Sequence, residues 1–410
     1  MPKADEYLVG IDIGSAKVGV LIAQHDGEGG LEVVGKGEAH NRGTRRGNIV
    51  NVEQTVDALK QAAEEAEVMA GVEISRAYVG IAGSDIRSVN SRGMVSIARR
   101  DREITRQDID RVLEAAQSAA LPSDREILHT IPQEFLVDEQ PGITEPLGMM
   151  GSRLEAMVHL TTGNVTRTKT LQTCINRAGI EVLEVVFEPL ATSEAVLTRD
   201  ERELGVLLID IGSGTTEFAL FAQGEVRHSG VLPIGASHFT NDLAMVLRTP
   251  FSEAERIKVR HGSCLSGMAD EDQGVNVPAV AGGTQRVVPK RELCEILGPR
   301  AEELLALIHD QLSKSGWDDP LRGGVVLTGG GAKLDGLLEL AEQIFSASVR
   351  YGMPRRLGGL VDVINCPTWS TASGLLLYGL EASNQRGTQR RILDVKQLFG
   401  TLRGYFTDLL

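Results

Sequence analysis

Gly10-Ile-Asp12-Ile-Gly14-Ser15-Ala16-Lys17, near the start of the chain, returns in its second half as Leu208-Ile-Asp210-Ile-Gly212-Ser213-Gly214-Thr215-Thr216-Glu217. In each copy an apolar run enters the string IDIGS and a Gly/Ser turn follows. An alternating run then leaves it, Val18 to Ala23 in the first and Phe218 to Phe221 in the second. Two such runs around a short turn predict a β-hairpin. A third strand-like run follows each hairpin, Leu31 to Val34 and Glu225 to Val231, and the first copy continues into the helical spacing Val56, Leu59, Ala63, Ala66. Because repeats set architecture, the chain is expected to contain two related α/β halves.

The repeated turn has a chemical meaning of its own. Small residues let successive backbone N–H groups point into one concavity, the arrangement that cradles phosphates. Gly14, Ser15, Ala16 and Lys17 in the first turn, and Gly212, Ser213, Gly214, Thr215 and Thr216 in the second, are therefore candidate phosphate-binding residues, with Lys17 adding a point charge. Asp12 and Asp210 end their strands where a carboxylate holds Mg2+ through the waters that ion retains. A lone DxG turn commonly just closes a hairpin, whereas two of them facing each other would clamp one nucleotide. A third glycine cluster, Gly323 to Gly336, is a short buried-type strand leading through Thr328-Gly329-Gly330-Gly331-Ala332-Lys333 to the helical spacing Leu337, Leu340, Ile344. It leaves room for a flat base or a phosphate, or it is simply a tight turn.

Composition bounds the rest. At about 150 residues per domain, 410 residues allow two or three domains. The net charge of -14 gives no basic footprint for nucleic acid, which is excluded as a partner. Cys174, Cys264, Cys294 and Cys366 have no metal-site spacing and are expected as buried reduced thiols. The acidic N-terminus is unlike a signal peptide, and the longest apolar runs, such as Val206 to Ile209, fall far short of the ~20 residues of a spanning helix. A cytoplasmic protein is expected.

Taken together, the two hairpins and the Thr328 to Lys333 cluster resemble the phosphate and adenosine motifs of the actin, Hsp70 and sugar-kinase superfamily. Phe187 to Ala195 and Thr371 to Gly379 resemble its two connecting helices. Within the superfamily, the chain resembles the FtsA family of bacterial cell-division proteins over essentially its whole length. That resemblance implies an α/β, actin-like ATPase fold, with two related halves around a nucleotide cleft and an FtsA-type 1C subdomain inserted in the first. The expected divisions are 1–85 and 166–203 for the first half around an insert at 86–165, and 204–238 and 306–365 for the second half around a 2B subdomain at 239–305. A terminal helix at 366–382 and a linker at 383–391 complete the body. ATP and Mg2+ are the implied cofactors. Phe251 to Lys258 resembles the segment near adenosine, so Glu255 and Lys258 join Gly235, Gly329, Gly330, Gly331, Ala332 and Lys333 as adenosine-side candidates. Glu188 occupies the place of a residue that orients the attacking water, or else merely caps its helix ahead of Pro189. Slow hydrolysis at best is expected.

The insert, Ser88 to Ile97, then a helix over Asp108 to Ala119, then Ile131 to Asp138 and Leu154 to Leu160, resembles the family's 1C subdomain, which contacts other subunits and later division proteins. Residues 392–410 carry an amphipathic stripe of Ile392, Val395, Leu398, Phe399, Leu402, Tyr405, Phe406, Leu409 and Leu410, with Lys396 and Arg403 at its edge. Such a stripe either docks on the protein body or lies on acidic lipid, its cationic stems reaching the phosphates. The resemblance favours lipid, and with it a peripheral protein on the inner face of the membrane at the division site. There it would polymerise with itself and bind the tail of the tubulin-like protein FtsZ through the 2B subdomain. The alternatives are an actin-like interaction module of type IV pilus assembly, which has no such tail, and a small-molecule kinase.

Overall fold

The IDIGS repeat is a repeat of topology. In the computed structural model, which describes residues 7–98, 102–118, 121–265, 267, 274–280, 286–317 and 319–384, each string joins two antiparallel strands. β1 (Tyr7–Ile13) pairs with β2 (Lys17–His25), and Asp12 faces Gly19. β3 (Leu31–His40) lies antiparallel to β2, β6 (Arg76–Ile81) parallel to β1, and β11 (Glu181–Phe187) parallel to β6, while the short β19 (Leu357–Gly359) runs along β3. The second half repeats the pattern with β12 (Val206–Ile211), β13 (Thr216–Ala222), β14 (Glu225–Leu232), β17 (Gly324–Thr328) and β18 (Val349–Tyr351). Its order β14-β13-β12-β17-β18, with the same alternation of antiparallel and parallel pairs, superposes in topology on β3-β2-β1-β6-β11. Every residue of β12, β13 and β17 is buried. That is the mark of strands covered on both faces.

Helices supply the covering layers. α1 (Val52–Ala70) starts where the Asn51 side chain accepts the Gln54 N–H and ends at Gly71 with φ 70°, and it buries the Val56, Leu59, Ala63 and Ala66 face read from the sequence. It lies very close to β3, because a Cβ at Gly35 would stand 2.5 Å from the Ala66 carbonyl oxygen. α3 (Val165–Arg177) packs beside α1. α4 (Glu188–Val196) and α11 (370–384) are the connecting helices. In the second half α6 (Ala236–Leu247), α7 (Phe251–His261), α8 (Lys290–Lys314) and α9 (Leu337–Phe345) surround a core of Leu243, Leu297, Leu304, Ile308, Leu327 and Leu337. Shorter pieces join them: α5 (Arg199–Leu204), α10 (Val361–Ile364), and the two-stranded β15 (Gly274–Val277) with β16 (Arg286–Pro289).

The insert is a separate layer with its own core. β7 (Arg87–Ser96), β8 (Arg125–Val137), β9 (Gln140–Ile143) and β10 (Arg153–Asn164) form a sheet ordered β7-β10-β8-β9, backed by α2 (Arg106–Gln117). Ile104, Ile109, Val112, Phe135, Leu154, Val158 and Leu160 fill the space between. Gly93 lets α2 approach, since a Cβ there would lie 2.6 Å from the Ala116 nitrogen. The sequence reading found the order strand, helix, strand, strand but missed β9. Its Gln-Pro-Gly-Ile sequence lacks alternation, and its proline fits only because β9 is an edge.

Residues 383 and 384, read as the start of a linker, continue α11. The remaining expected linker and the amphipathic stripe at 392–410 lie outside the described residues. All four cysteines are free; Cys174, Cys264 and Cys294 are buried as expected, but Cys366 is partly exposed. No helix among the described residues is long and apolar enough to cross a membrane.

Candidate nucleotide cleft

The two IDIGS turns face each other across a cleft of about 530 Å³. Their approach is so close that a Cβ on Gly214 would stand 2.6 Å from the Ser15 hydroxyl. Each turn is fixed from behind. The buried Asn41 donates its side-chain N–H to the Gly14 carbonyl at 2.9 Å, and its backbone N–H to the Ala16 carbonyl at 2.9 Å. On the other side the first turn of α6 holds the second hairpin: Ala236 N–H donates to Gly212 at 2.9 Å and Ser237 N–H to Ser213 at 2.8 Å. Gly14, Ser15, Ala16, Lys17, Gly212, Ser213, Gly214 and Thr215 all line the cleft. Thr216 does not: it is fully buried and donates its hydroxyl to the Ile234 carbonyl at 2.8 Å.

Four carboxyl groups gather beneath the turns. Asp210 and Glu217 are cross-strand partners in the β12–β13 hairpin, so their side chains share one face. Glu188, at the first position of α4, occupies space left by Gly80, whose added Cβ would meet its Cγ at 3.0 Å. Asp12 enters from the first hairpin. Burial raises the Asp12 pKa to about 6 against the pull of Lys17. Burial and then the Asp12 charge raise Asp210 to about 7, and burial with Asp210 takes Glu217 to about 8. Glu188 is pushed well above the usual range by burial and then by Asp12, Glu217 and Asp210. One oxygen of Asp210 accepts from Thr192 of α4 and from Thr371 of α11, each at 3.2 Å. Glu217 Oε1 is buried with no hydrogen-bond partner among the described residues.

Such a cluster is short of positive charge. A hard divalent cation suits its oxygens and would relieve both the repulsion and the orphaned oxygen. Among the described residues no group of three or more His, Cys, Asp or Glu is placed to ligate a metal by itself. An ion here would therefore complete its shell with water or phosphate oxygens.

The cleft widens towards the second half, where Glu255, Lys258, Gly330, Gly331 and Lys333 line it. Lys258 pairs with Glu255 at 2.8 Å and donates to the Ala236 carbonyl at 3.0 Å and to the Thr240 hydroxyl at 2.9 Å. Gly329, with φ 82°, sits against Asp210 and lines the inner cleft. Gly235 and the buried Ala332 stand behind the wall, Gly235 packed on the second turn. Lys17 is turned aside: its ammonium lies 3.9 Å from the centre of the Trp369 ring and 3.4 Å from Glu38. Sequence reasoning missed Glu217 as a member of the cluster, and Thr192 and Thr371 as its hydrogen-bond donors. The first was readable from hairpin register, because it faces Asp210 across a short turn.

Two topologically matched halves, two facing Gly/Ser turns and a carboxylate floor define the class of actin-like proteins. Solved structures agree on the fold. The PilM-PilN type IV pilus biogenesis complex matches with a TM-score of 0.66 at 15% identity, over 91% of this chain and 98% of that one. MreB 5 of Spiroplasma citri bound to AMPPNP matches with a TM-score of 0.57 at 14% identity, over 94% and 98%. Sequence kinship is narrower. The family description "Cell division protein FtsA" matches residues 207–374, and "SHS2 domain inserted in FTSA" matches residues 83–162. Cell division protein FtsA of Pseudomonas aeruginosa is 46% identical over 92% of this chain and 90% of its own length, and that of Neisseria meningitidis serogroup B is 41% identical over 92% and 91%. The chain belongs to the FtsA family of cell division proteins.

Proposed function

We propose that the cleft binds ATP with Mg2+ and that the chain is a polymerising adaptor, holding FtsZ filaments to the inner face of the cytoplasmic membrane at the division site. In this reading the backbone N–H groups of Gly14 to Lys17 and Gly212 to Thr215 take the phosphates, and Asp12 and Asp210 hold the ion through water. Glu255, Lys258, Gly329, Gly330, Gly331 and Lys333 flank the adenosine. The ion supplies positive charge to the phosphates and the carboxylate floor. Such charge would favour the carboxylate form of Glu188, the form able to orient a water for slow hydrolysis. The FtsZ tail docks on the subdomain from Ser237 to Arg300, whose exposed Met245, Val246, Phe251 and Val259 offer an apolar surface. The insert contacts further copies and later division proteins, and residues 392–410 meet acidic lipid.

The observation that carries the proposal is kinship: 46% identity across 92% of the chain, in a fold whose two phosphate-type turns face each other. Its test is co-sedimentation with acidic-lipid vesicles, comparing the full chain with one ending at Asn384, alongside ATP binding by calorimetry. Loss of vesicle binding with unchanged ATP affinity is expected. Equal sedimentation of both forms would remove the tail from the membrane role.

A further inference from the structure

The basic pair Arg45-Arg46 lies outside both phosphate turns, and its placement gives it a role at the cleft. Residues 43–50 form a tight hairpin in which β4 (Thr44–Arg45) pairs with β5 (Asn48–Ile49), leaving Arg46 and Gly47 as the two turn residues. Their φ angles are 49° and 72°. Two left-handed positions in a two-residue loop suit Asn-Gly and strain any larger side chain at the first. Strain of this kind persists where the surrounding structure or the function requires it.

The hairpin belongs to the first half and reaches the second. Gly47 N–H donates to the Ser15 hydroxyl at 3.0 Å, and Arg167, itself paired with Asp85, donates to the Gly47 carbonyl at 3.1 Å. The backbone of Arg46 rests against the tip of the other phosphate turn, since a Cβ on Gly214 would stand 2.8 Å from the Arg46 nitrogen and 2.9 Å from its Cα. Its side chain is exposed at the cleft mouth beside Ser213, Gly214 and His238. The His238 pKa is lowered by burial and further by the charges of Arg46 and Arg300. Arg46 forms no ion pair or hydrogen bond among the described residues, whereas Lys17, Arg167 and Lys258 are each engaged by an acid.

We propose that Arg46 is a phosphate ligand, its guanidinium closing over the phosphate chain of the bound nucleotide from the mouth of the cleft and so linking the two halves through the ligand. A planar fork of donors matches phosphate oxygens better than an ammonium does. The inference rests on the nucleotide reading of the cleft and adds to it a residue that the repeat does not contain.

Calorimetric titration of the full chain with ATP and with ADP, in the presence of Mg2+, tests it on wild type, Arg46→Asn and Arg46→Lys, with thermal melting of each ligand-free protein. Asparagine fits the left-handed turn, so Arg46→Asn is expected to melt no lower than wild type while binding ATP on the order of tenfold more weakly. Arg46→Lys should recover part of the loss. Unchanged ATP and ADP affinity in Arg46→Asn overturns the inference alone. So does a loss of affinity that comes with a lower melting temperature, because the residue would then be serving the turn. A wild-type chain that binds neither nucleotide overturns the reading of the cleft as well.

Discussion

Asp210 shows how a single side chain is committed before any ligand arrives. Its position at the end of β12 sets it opposite Glu217, two threonines from two different helices hold one of its oxygens, and burial and Asp12 keep its pKa near 7. Removing the charge should therefore help the empty protein and harm the loaded one. Asp210→Asn keeps the shape and can still accept from Thr192 and Thr371, so the ligand-free variant is expected to melt at or above the wild-type temperature. Its ATP affinity in Mg2+ should fall on the order of tenfold, or about 1.4 kcal/mol. Titrations with and without Mg2+ separate the causes, because only a residue that serves the ion loses the Mg2+-dependent part of the affinity. An unchanged Mg2+ dependence would take Asp210 out of that role.

At the scale of elements, the cleft floor depends on how closely α4 and α11 cross. Gly374 faces the Ala191 carbonyl with no room for a Cβ, and at Gly10 a Cβ would lie 2.6 Å from the Ala372 carbonyl oxygen. Gly374→Val must push the helices apart, at a cost of about 1–3 kcal/mol for overpacking. It should also separate Thr371 from Asp210 and so weaken nucleotide binding. Denaturant unfolding and ATP titration of the variant check both, and wild-type values in both would mean that the crossing yields freely. Glycines at another close approach, between β3 and α1, show what could be read from sequence alone. The hairpins, α1 and most of the insert were legible because alternation and helical spacing are local signals. The apolar pattern predicts β3 only to Val34, yet the strand runs to His40: Gly35 and Gly37 interrupt the pattern, and both admit the backbone of α1. Thr192 and Thr371, 179 positions apart, carry no local signal of meeting at Asp210. Their pairing is a product of the helix crossing, which no short window encodes.

For the molecule as a whole, the halves also meet away from the cleft, where the insert touches β14. Asn90 of β7 donates its side-chain N–H to the Arg227 carbonyl at 3.1 Å, which turns its oxygen towards His159 of β10 at 2.7 Å. The other ring nitrogen of His159 lies 2.8 Å from the Ser229 hydroxyl, and Ser229 in turn meets Ser88 at 2.7 Å. Gln133 of β8 adds a bond to the Val226 carbonyl at 2.6 Å. This seam is built for a neutral imidazole. Burial, and then the neighbouring His228, hold the His159 pKa down to about 4, whereas in the unfolded chain it returns to about 6.5. The unfolded state therefore takes up the proton first, so the contribution of His159 to stability is complete above pH 6.5 and is lost as the pH falls towards 4. Between pH 7 and pH 5 the loss should be on the order of 1–2 kcal/mol. His129, buried beneath the Phe187 N–H and also lowered to about 4, produces a slope of the same sign. The discriminating measurement is thus a difference: urea midpoints at pH 7, 6 and 5 for wild type and for His159→Gln, which retains a donor and an acceptor but cannot ionise. The variant is expected to start less stable and to lose less stability with acid. Parallel slopes would mean that the insert is held to the second half by its remaining contacts, Gln133 and Asn90, and that the seam does not respond to pH through His159.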